Sequence, residues 1–308
     1  MKQKESSIFE RALLTSLMFK FFIFLVYFIL VSTFSFAQKA SDYYVRGKAK
    51  FESGDYAGAI VEYDRAIALS PKSSALYNNR GIAKSKLTYY SDAIVDYTSA
   101  LLFDSTFYLA WFNRGNAYKE ILKYEEALLD YDQAIKLKPD YKSGYMNRGI
   151  LRSLLKDNNG AIDDFNVVLQ KEEENINALY NRGSSYLTLK KYDQALTDLN
   201  KVIKLQPDHF KAIVNRGICY LERDMYNEAI IEFTRAIGIQ PSNGEGFYMR
   251  GIAHLNSSGV TSSAFKNARN KKIVWENNKK LQLSCSDFEK ARDFKYSQAM
   301  EMIATYCR

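Results

Sequence analysis

The tripeptide Asn-Arg-Gly returns through this chain at a fixed interval. It stands at Asn79-Arg80-Gly81, Asn113-Arg114-Gly115, Asn147-Arg148-Gly149, Asn181-Arg182-Gly183 and Asn215-Arg216-Gly217. Weaker copies occur at Val45-Arg46-Gly47 and Met249-Arg250-Gly251, and each arginine follows the last by 34 residues. A strict period of that size means stacked supersecondary units, none of which buries its apolar face alone. The four prolines, Pro71, Pro139, Pro207 and Pro241, are spaced by multiples of the same period. Proline cannot continue a helix, so each belongs just past a helix end.

The unit is clearest between Tyr108 and Tyr141, which reads as two amphipathic helices and a stop. Its small and aromatic positions are Gly115, Tyr118, Tyr124, Ala127, Tyr131, Ala134 and Pro139. In period and residues the stretch resembles the tetratricopeptide repeat family, and the resemblance runs from about residue 40 to 308. It implies an all-α fold, a right-handed superhelix (an α-solenoid) of about seven helix-turn-helix repeats closed by a C-terminal capping helix. The expected layout is a repeat solenoid over 40–255, a Ser-rich then basic insertion over 256–281, and a displaced second helix of repeat seven with the cap over 282–308. In that displaced copy Phe288 and Ala291 take the aromatic and small positions, 21 residues late.

Two rows of charge follow the period. Arg46, Arg80, Arg114, Arg148, Arg182, Arg216 and Arg250 lie on the first helix of each repeat, helix A. Glu62, Asp96, Asp130, Asp164, Asp198, Glu232 and, in the displaced copy, Asp287 lie on the second, helix B. At 100° per residue the arginine faces helix B, so a structural ladder of pairs within or between repeats is expected, fixing geometry more than adding stability.

The remaining arc of helix A forms a wall, which in solenoids of this type lines the concave surface. It carries Tyr44, Asn78, Ile82, Phe112, Asn116, Met146, Ile150, Tyr180, Val214, Ile218 and Tyr248. Apolar anchors beside regularly spaced polar groups suit capture of a partner peptide or helix. The wall is most apolar at Phe112, Met146, Ile150 and Tyr180, which puts the expected centre of binding in repeats three to five. Some members of the family hold a terminal carboxylate with a clamp of Lys, Asn and Arg; Asn79 and its equivalents fit its central Asn, but Tyr44, Lys48, Leu109 and Asn113 stand where its flanks would be, so that specificity is not expected.

No catalytic, metal or cofactor residues stand out. The two histidines, His209 and His254, are far apart in sequence, and no phosphate-cradling glycine loop or Cys/His metal spacing occurs. Of the three cysteines, Cys219 reads as a core thiol, while Cys285 and Cys307 fall on the last two helices and could bridge in an oxidising compartment.

Residues 1–37 combine a basic leader, the apolar run Phe21–Phe34 and small residues at Ser35 and Ala37, the layout of a secretory signal peptide. An uncleaved N-terminal anchor is the alternative, and either reading places the repeats outside the cytoplasm. The formal charge of +8 sits mainly in this leader and in 256–281, leaving the repeats near neutral. That speaks against nucleic acid as partner, with the insertion as the one segment where such binding would reside. The expected role is a non-enzymatic protein–protein interaction scaffold of the periplasm or cell envelope, or a secreted one; the alternative is a membrane-anchored assembly component.

Overall fold

The computed structural model of the chain describes residues 38–261 and 278–307, with isolated positions at 24, 263, 274 and 275. The leader and apolar run expected to form a signal peptide or anchor lie outside the described residues, apart from Phe24. Half of the expected 256–281 insertion does as well. No helix among the described residues is long and apolar enough to cross a membrane.

Helices alone make up the described regular structure. In chain order they are α1 over 38–52, α2 Tyr56–Leu69, α3 Ser74–Lys86, α4 Tyr90–Phe103, α5 Tyr108–Glu120, α6 Tyr124–Leu137 and α7 Lys142–Leu154. Then follow α8 Asn158–Lys171, α9 Ile176–Thr188, α10 Tyr192–Leu205, α11 Phe210–Leu221, α12 Tyr226–Ile239, α13 Gly244–Ser257, α14 Lys279–Asp293 and α15 Ala299–Tyr306. They pair as helix A and helix B of seven repeats, and α15 follows the last pair. The chain divides into two compact units, Met1–Gly144 and Tyr145–Arg308. In the first, α2 through α6 pack each on the next; in the second, α8 through α15 do the same.

One contact recurs in both units. A Cβ placed on Gly47, Gly81 or Gly115 would meet the ring of Tyr63, Tyr97 or Tyr131 at 2.7 to 2.9 Å. The same holds for Gly149 with Phe165, Gly217 with Phe233 and Gly251 with Phe288, at 2.6 to 2.8 Å. Helix B thus sets a buried ring against the glycine of its own helix A. Gly183 is the exception: it meets Leu199, and its nearest contacts are 3.2 Å or more. Early in helix B, Ala59, Ala93, Ala127, Ala161, Ala195 and Ala229 are fully buried, which lets the two helices close up.

The turn between the helices of a pair needs one left-handed residue. It is Gly54 in the first repeat, then Thr88, Leu122, Lys156, Lys190 and Asp224. The following N–H reaches five residues back, as Tyr89 does to the Lys84 carbonyl at 3.0 Å, closing the helix end.

The seventh repeat differs in detail from the sequence reading. Helix α13 continues to Ser257 and α14 begins at Lys279, so the insertion between them is shorter than 256–281 and the displaced helix starts before residue 282. Asn278 starts α14 by accepting from the Leu281 N–H at 3.0 Å, a cap not signalled by the apolar pattern.

Candidate functional site

The ladder arginines are three-way clamps. Arg114 donates from Nε to Asp130 at 2.8 Å and from Nη2 at 2.9 Å, a planar fork on a carboxylate. Arg80 with Asp96, Arg148 with Asp164, Arg182 with Asp198 and Arg250 with Asp287 repeat it. Arg216 donates from Nη2 to both oxygens of Glu232 instead, and its buried Nε has no hydrogen-bond partner. The longer glutamate side chain does not meet the fork squarely. At the chain's start Arg46 is exposed and only 3.5 Å from Glu62 through Nε. Burial raises the Asp130 carboxyl above its ordinary value despite the Arg114 hydrogen bond, as befits a pair that sets geometry rather than adding stability.

Nη1 reaches the other way, to the helix B of the preceding repeat. Arg80 meets Asp64 at 2.5 Å, Arg114 meets Thr98 at 3.1 Å and Arg182 meets Asn166 at 2.7 Å. Arg216 meets Asn200 at 2.9 Å and Arg250 meets Thr234 at 3.1 Å. These acceptors are a row that the sequence reading missed. Their identities vary, but all are short polar side chains two positions after the ladder acid.

A second missed row lies three residues before each arginine. Rings there cover the guanidinium: Tyr43 on Arg46 at 4.4 Å, Tyr77 on Arg80 at 5.4 Å and Trp111 on Arg114 at 4.8 Å. Tyr145 on Arg148 and Phe247 on Arg250 continue it at 5.4 and 5.7 Å. Leu179 and Ile213 interrupt the series.

The expected wall divides into buried and accessible positions. Val214 is 2% exposed and Asn78 4%, which corrects their expected place on an open surface. Adjacent A helices pack over that arc: Val214 joins the core of the second unit, and Asn78 accepts from Asn113 at 3.0 Å. Phe112 is half-buried between Tyr131 and Tyr141, with the latter ring edge-on at 5.0 Å. Asn116 accepts from the Tyr131 hydroxyl at 2.8 Å. Met146, Tyr180 and Ile218 pack partly into the second unit's core, and Tyr248 against Phe288 and Tyr296. Ile150 is the most open of the apolar ones, at 37%.

In the first unit Tyr44 and Ile82 line a recess of about 240 Å³ with Lys48, Phe51, Glu52, Tyr63 and Asn79. Burial pushes the Tyr63 phenol up to about 12, so it stays a neutral wall. Asn79 is distinctive here. Elsewhere the same asparagine is engaged: Asn113 with Asn78, Asn181 with the Asn177 carbonyl at 2.7 Å, Asn215 with Ser184 at 2.8 Å. Among the described residues nothing hydrogen-bonds the Asn79 side chain. One repeat back stand Tyr44 and Lys48, where later repeats offer Asn78 and Ser184 as acceptors.

Cys285 and Cys307 form a disulfide with Cα atoms 5.5 Å apart, tying α14 to the end of α15. Cys219 is a buried free thiol, pushed up to about 11 by burial. Among the described residues no group of three or more His, Cys, Asp or Glu could hold a metal ion. His209 accepts the Ala212 N–H at the start of α11 and lies 5.1 Å from the Tyr180 ring. His254 is half-buried, and burial lowers its pKa.

Residues 108–141 and 176–209 match the tetratricopeptide repeat, and residues 47–87 and 210–243 match two further descriptions of the same repeat. No curated protein sequence matches the chain. Among solved structures, a tetratricopeptide repeat protein from Parabacteroides merdae is 19% identical, covering 88% of this chain and 100% of its own, with a TM-score of 0.60. The C-terminal part of a repeat protein from Cytophaga hutchinsonii is 15% identical, with 84% and 98% covered and a TM-score of 0.59. YrrB, described as having an unusual peptide-binding site, is 21% identical over 64% of this chain and 98% of its own, with a TM-score of 0.56. At these identities the likeness is one of fold.

Proposed function

The chain belongs to the tetratricopeptide repeat family, and on that premise we propose that it is a non-enzymatic protein-interaction scaffold of the cell envelope. Its bound partner is an extended peptide segment lying on the helix-A face. The observation that carries this reading is Asn79. A half-buried amide with no partner of its own stands in a recess whose walls are Tyr44, Phe51 and Ile82. An asparagine side chain offers both a donor and an acceptor, so it can bond a peptide unit of any sequence. The apolar walls then take a neighbouring side chain. This puts the centre of binding in repeats one and two instead of three to five, because Phe112 is already engaged by Tyr131 and Tyr141. That a fold relative, YrrB, is described by its peptide-binding site agrees with the class of partner.

Export is part of the proposal. It is supported by the leader and apolar run of residues 1–37 and by the Cys285–Cys307 disulfide, a bond that persists in oxidising compartments. N-terminal sequencing of the native protein tests it: a start at Gln38 supports a cleaved signal, and an intact N-terminus in the membrane fraction supports the anchored alternative.

The groove is tested with peptides selected from a random displayed library on the purified protein. Asn79→Ala should weaken the selected peptides by about 1–2 kcal/mol, five- to thirty-fold, without lowering the melting temperature. Peptides that ignore Asn79→Ala but are lost on Ile150→Ala would move the site to the second unit.

A further inference from the structure

On the helix-B side of the second unit a recess of about 480 Å³ lies above Arg182. Its floor is Leu169 and Leu179, and its rim carries Thr197, Lys201 and Glu173. The recess has a sequence cause. In five other repeats a ring three residues before the arginine covers the guanidinium. Here that position is Leu179, which is 2% exposed and too short to reach over it.

The third repeat shows what is missing. There Arg114 lies between two rings, Trp111 at 4.8 Å and Tyr118 at 5.8 Å. The indole packs on a core that includes Leu101 and Ala110, and its Nε1 donates to the Ser105 carbonyl at 2.9 Å. In the second repeat Tyr77 likewise covers Arg80, and its hydroxyl donates to the Pro71 carbonyl at 3.2 Å. Transposed to the fifth repeat, Tyr118 becomes Tyr186, present at 6.0 Å from Arg182. Leu101 and Ala110 become Leu169 and Ala178, both in place. Ser105 becomes Glu173, whose carbonyl accepts no hydrogen bond among the described residues. Only the ring is absent.

We propose that this recess is a binding site for an aromatic side chain supplied by a partner protein, and that the side chain is tryptophan or tyrosine. The incoming ring lies on the open side of the Arg182 guanidinium, opposite Tyr186, and gains the electrostatic attraction of a cation over a ring face. Its body rests on Leu169 and Leu179. Its N–H or O–H donates to the Glu173 carbonyl, as Trp111 and Tyr77 do at their own repeats. Phenylalanine fills the space but leaves that carbonyl unpaired, so it binds less tightly. The Lys201–Glu173 ion pair at the mouth, 2.7 Å, joins a half-buried lysine to a fully open glutamate, which swings aside at small cost. This surface is separate from the Asn79 recess, and neither depends on the other.

The test uses the purified full-length chain with methyl-labelled leucines. It is titrated with N-acetyl-tryptophanamide, N-acetyl-tyrosinamide and N-acetyl-phenylalaninamide. The methyl signals of Leu169 and Leu179 should shift and saturate at millimolar concentration with the first two, at least threefold more tightly than with the third. Leu179→Trp should fill the recess from within and abolish the shift at Leu169, and its crystal structure should show the indole over Arg182. Saturable shifts confined to other leucines, no saturation at all, or equal binding of all three amides would overturn the proposal. So would a folded Leu179→Trp variant that still takes up tryptophanamide at Leu169. The wild-type titration decides the matter alone if that variant does not fold.

Discussion

Nη1 of Arg182 donates to Oδ1 of Asn166 at 2.7 Å, joining α9 to the helix B that precedes it by one repeat. The same guanidinium holds Asp198, sixteen residues ahead, through Nε and Nη2. One side chain therefore sets two helix junctions, the one within its repeat and the one to the repeat before. Its three-pronged planar shape is what a lysine lacks.

The clamp predicts unequal costs for its two arms. Asp198→Ala leaves a guanidinium only 22% exposed without its counter-charge, and should cost about 3–5 kcal/mol. Asn166→Ala removes a neutral acceptor at the same guanidinium and should cost about 1 kcal/mol. Urea unfolding measures both, and Arg182→Ala completes two double-mutant cycles. Zero coupling between Arg182 and Asn166 would mean that the arm contributes nothing to the stack.

Gly217 and Gly183 should respond unequally to alanine. A Cβ on Gly217 would sit 2.6 Å from the Phe233 ring, a clash that a buried aromatic relieves only by shifting. Gly217→Ala should therefore cost about 1–3 kcal/mol. At Gly183 the neighbours are Asp198 Cβ at 3.2 Å and Leu199 at 3.3 Å. There alanine's better helix propensity, about 1 kcal/mol, offsets the mild crowding. The check is thermal melting of both, with Phe233→Leu added to Gly217→Ala. Failure of that second change to restore stability would exclude the ring as the cause.

Much of this was legible before the structure, and the reason is the period. Arginine, acid, glycine and buried ring each recur with near-constant identity, so helix pairs and the Arg114–Asp130 type of contact could be read from spacing alone. The second acceptor row could not be seen as easily, because Asp64, Thr98, Asn166, Asn200 and Thr234 share hydrogen-bonding capacity rather than identity. The ring row before the arginines was visible as Tyr43, Tyr77, Trp111 and Tyr145, but its meaning depends on which way the guanidinium faces. The wall was over-read at Asn78 and Val214. A helical wheel treats one helix, and the packing of neighbouring A helices over that arc is a property of the stack.

Alkaline pH should destabilise the first unit through Tyr97. Burial pushes its phenol up to about 12, against an ordinary value of 10.0. The folded chain thus holds this proton more tightly than the unfolded chain. Stability from the neutral phenol is complete below about pH 10 and is lost as pH rises through the folded value. The loss by pH 12 is on the order of 2 kcal/mol. Tyr97→Phe removes the ionisation at the price of the Ser85 hydrogen bond, 3.1 Å in the wild type. The variant should start slightly less stable at pH 8 and show a flatter profile between pH 10 and 12. A parallel decline in both proteins would assign the alkaline loss to other groups.

The end of the chain should depend on oxidation. Helix α15 has eight residues, too few to hold a helix in water without support. It buries only Ala299 and Ile303 completely enough to join the terminal core with Leu281, Phe288 and Ala291. The Cys285–Cys307 bond closes a separation of 22 residues, and a loop of that size contributes about 3 kcal/mol. Peptide mapping without reductant should recover the two cysteines linked and Cys219 free. Dithiothreitol, or Cys307→Ser, should speed hydrogen exchange across 299–306 and lower the melting temperature, while amides of α2 to α6 in the first unit keep their protection. Unchanged exchange over 299–306 after reduction would mean that the packing of Ala299 and Ile303 holds α15 in place by itself, leaving the disulfide no part in closing the last repeat.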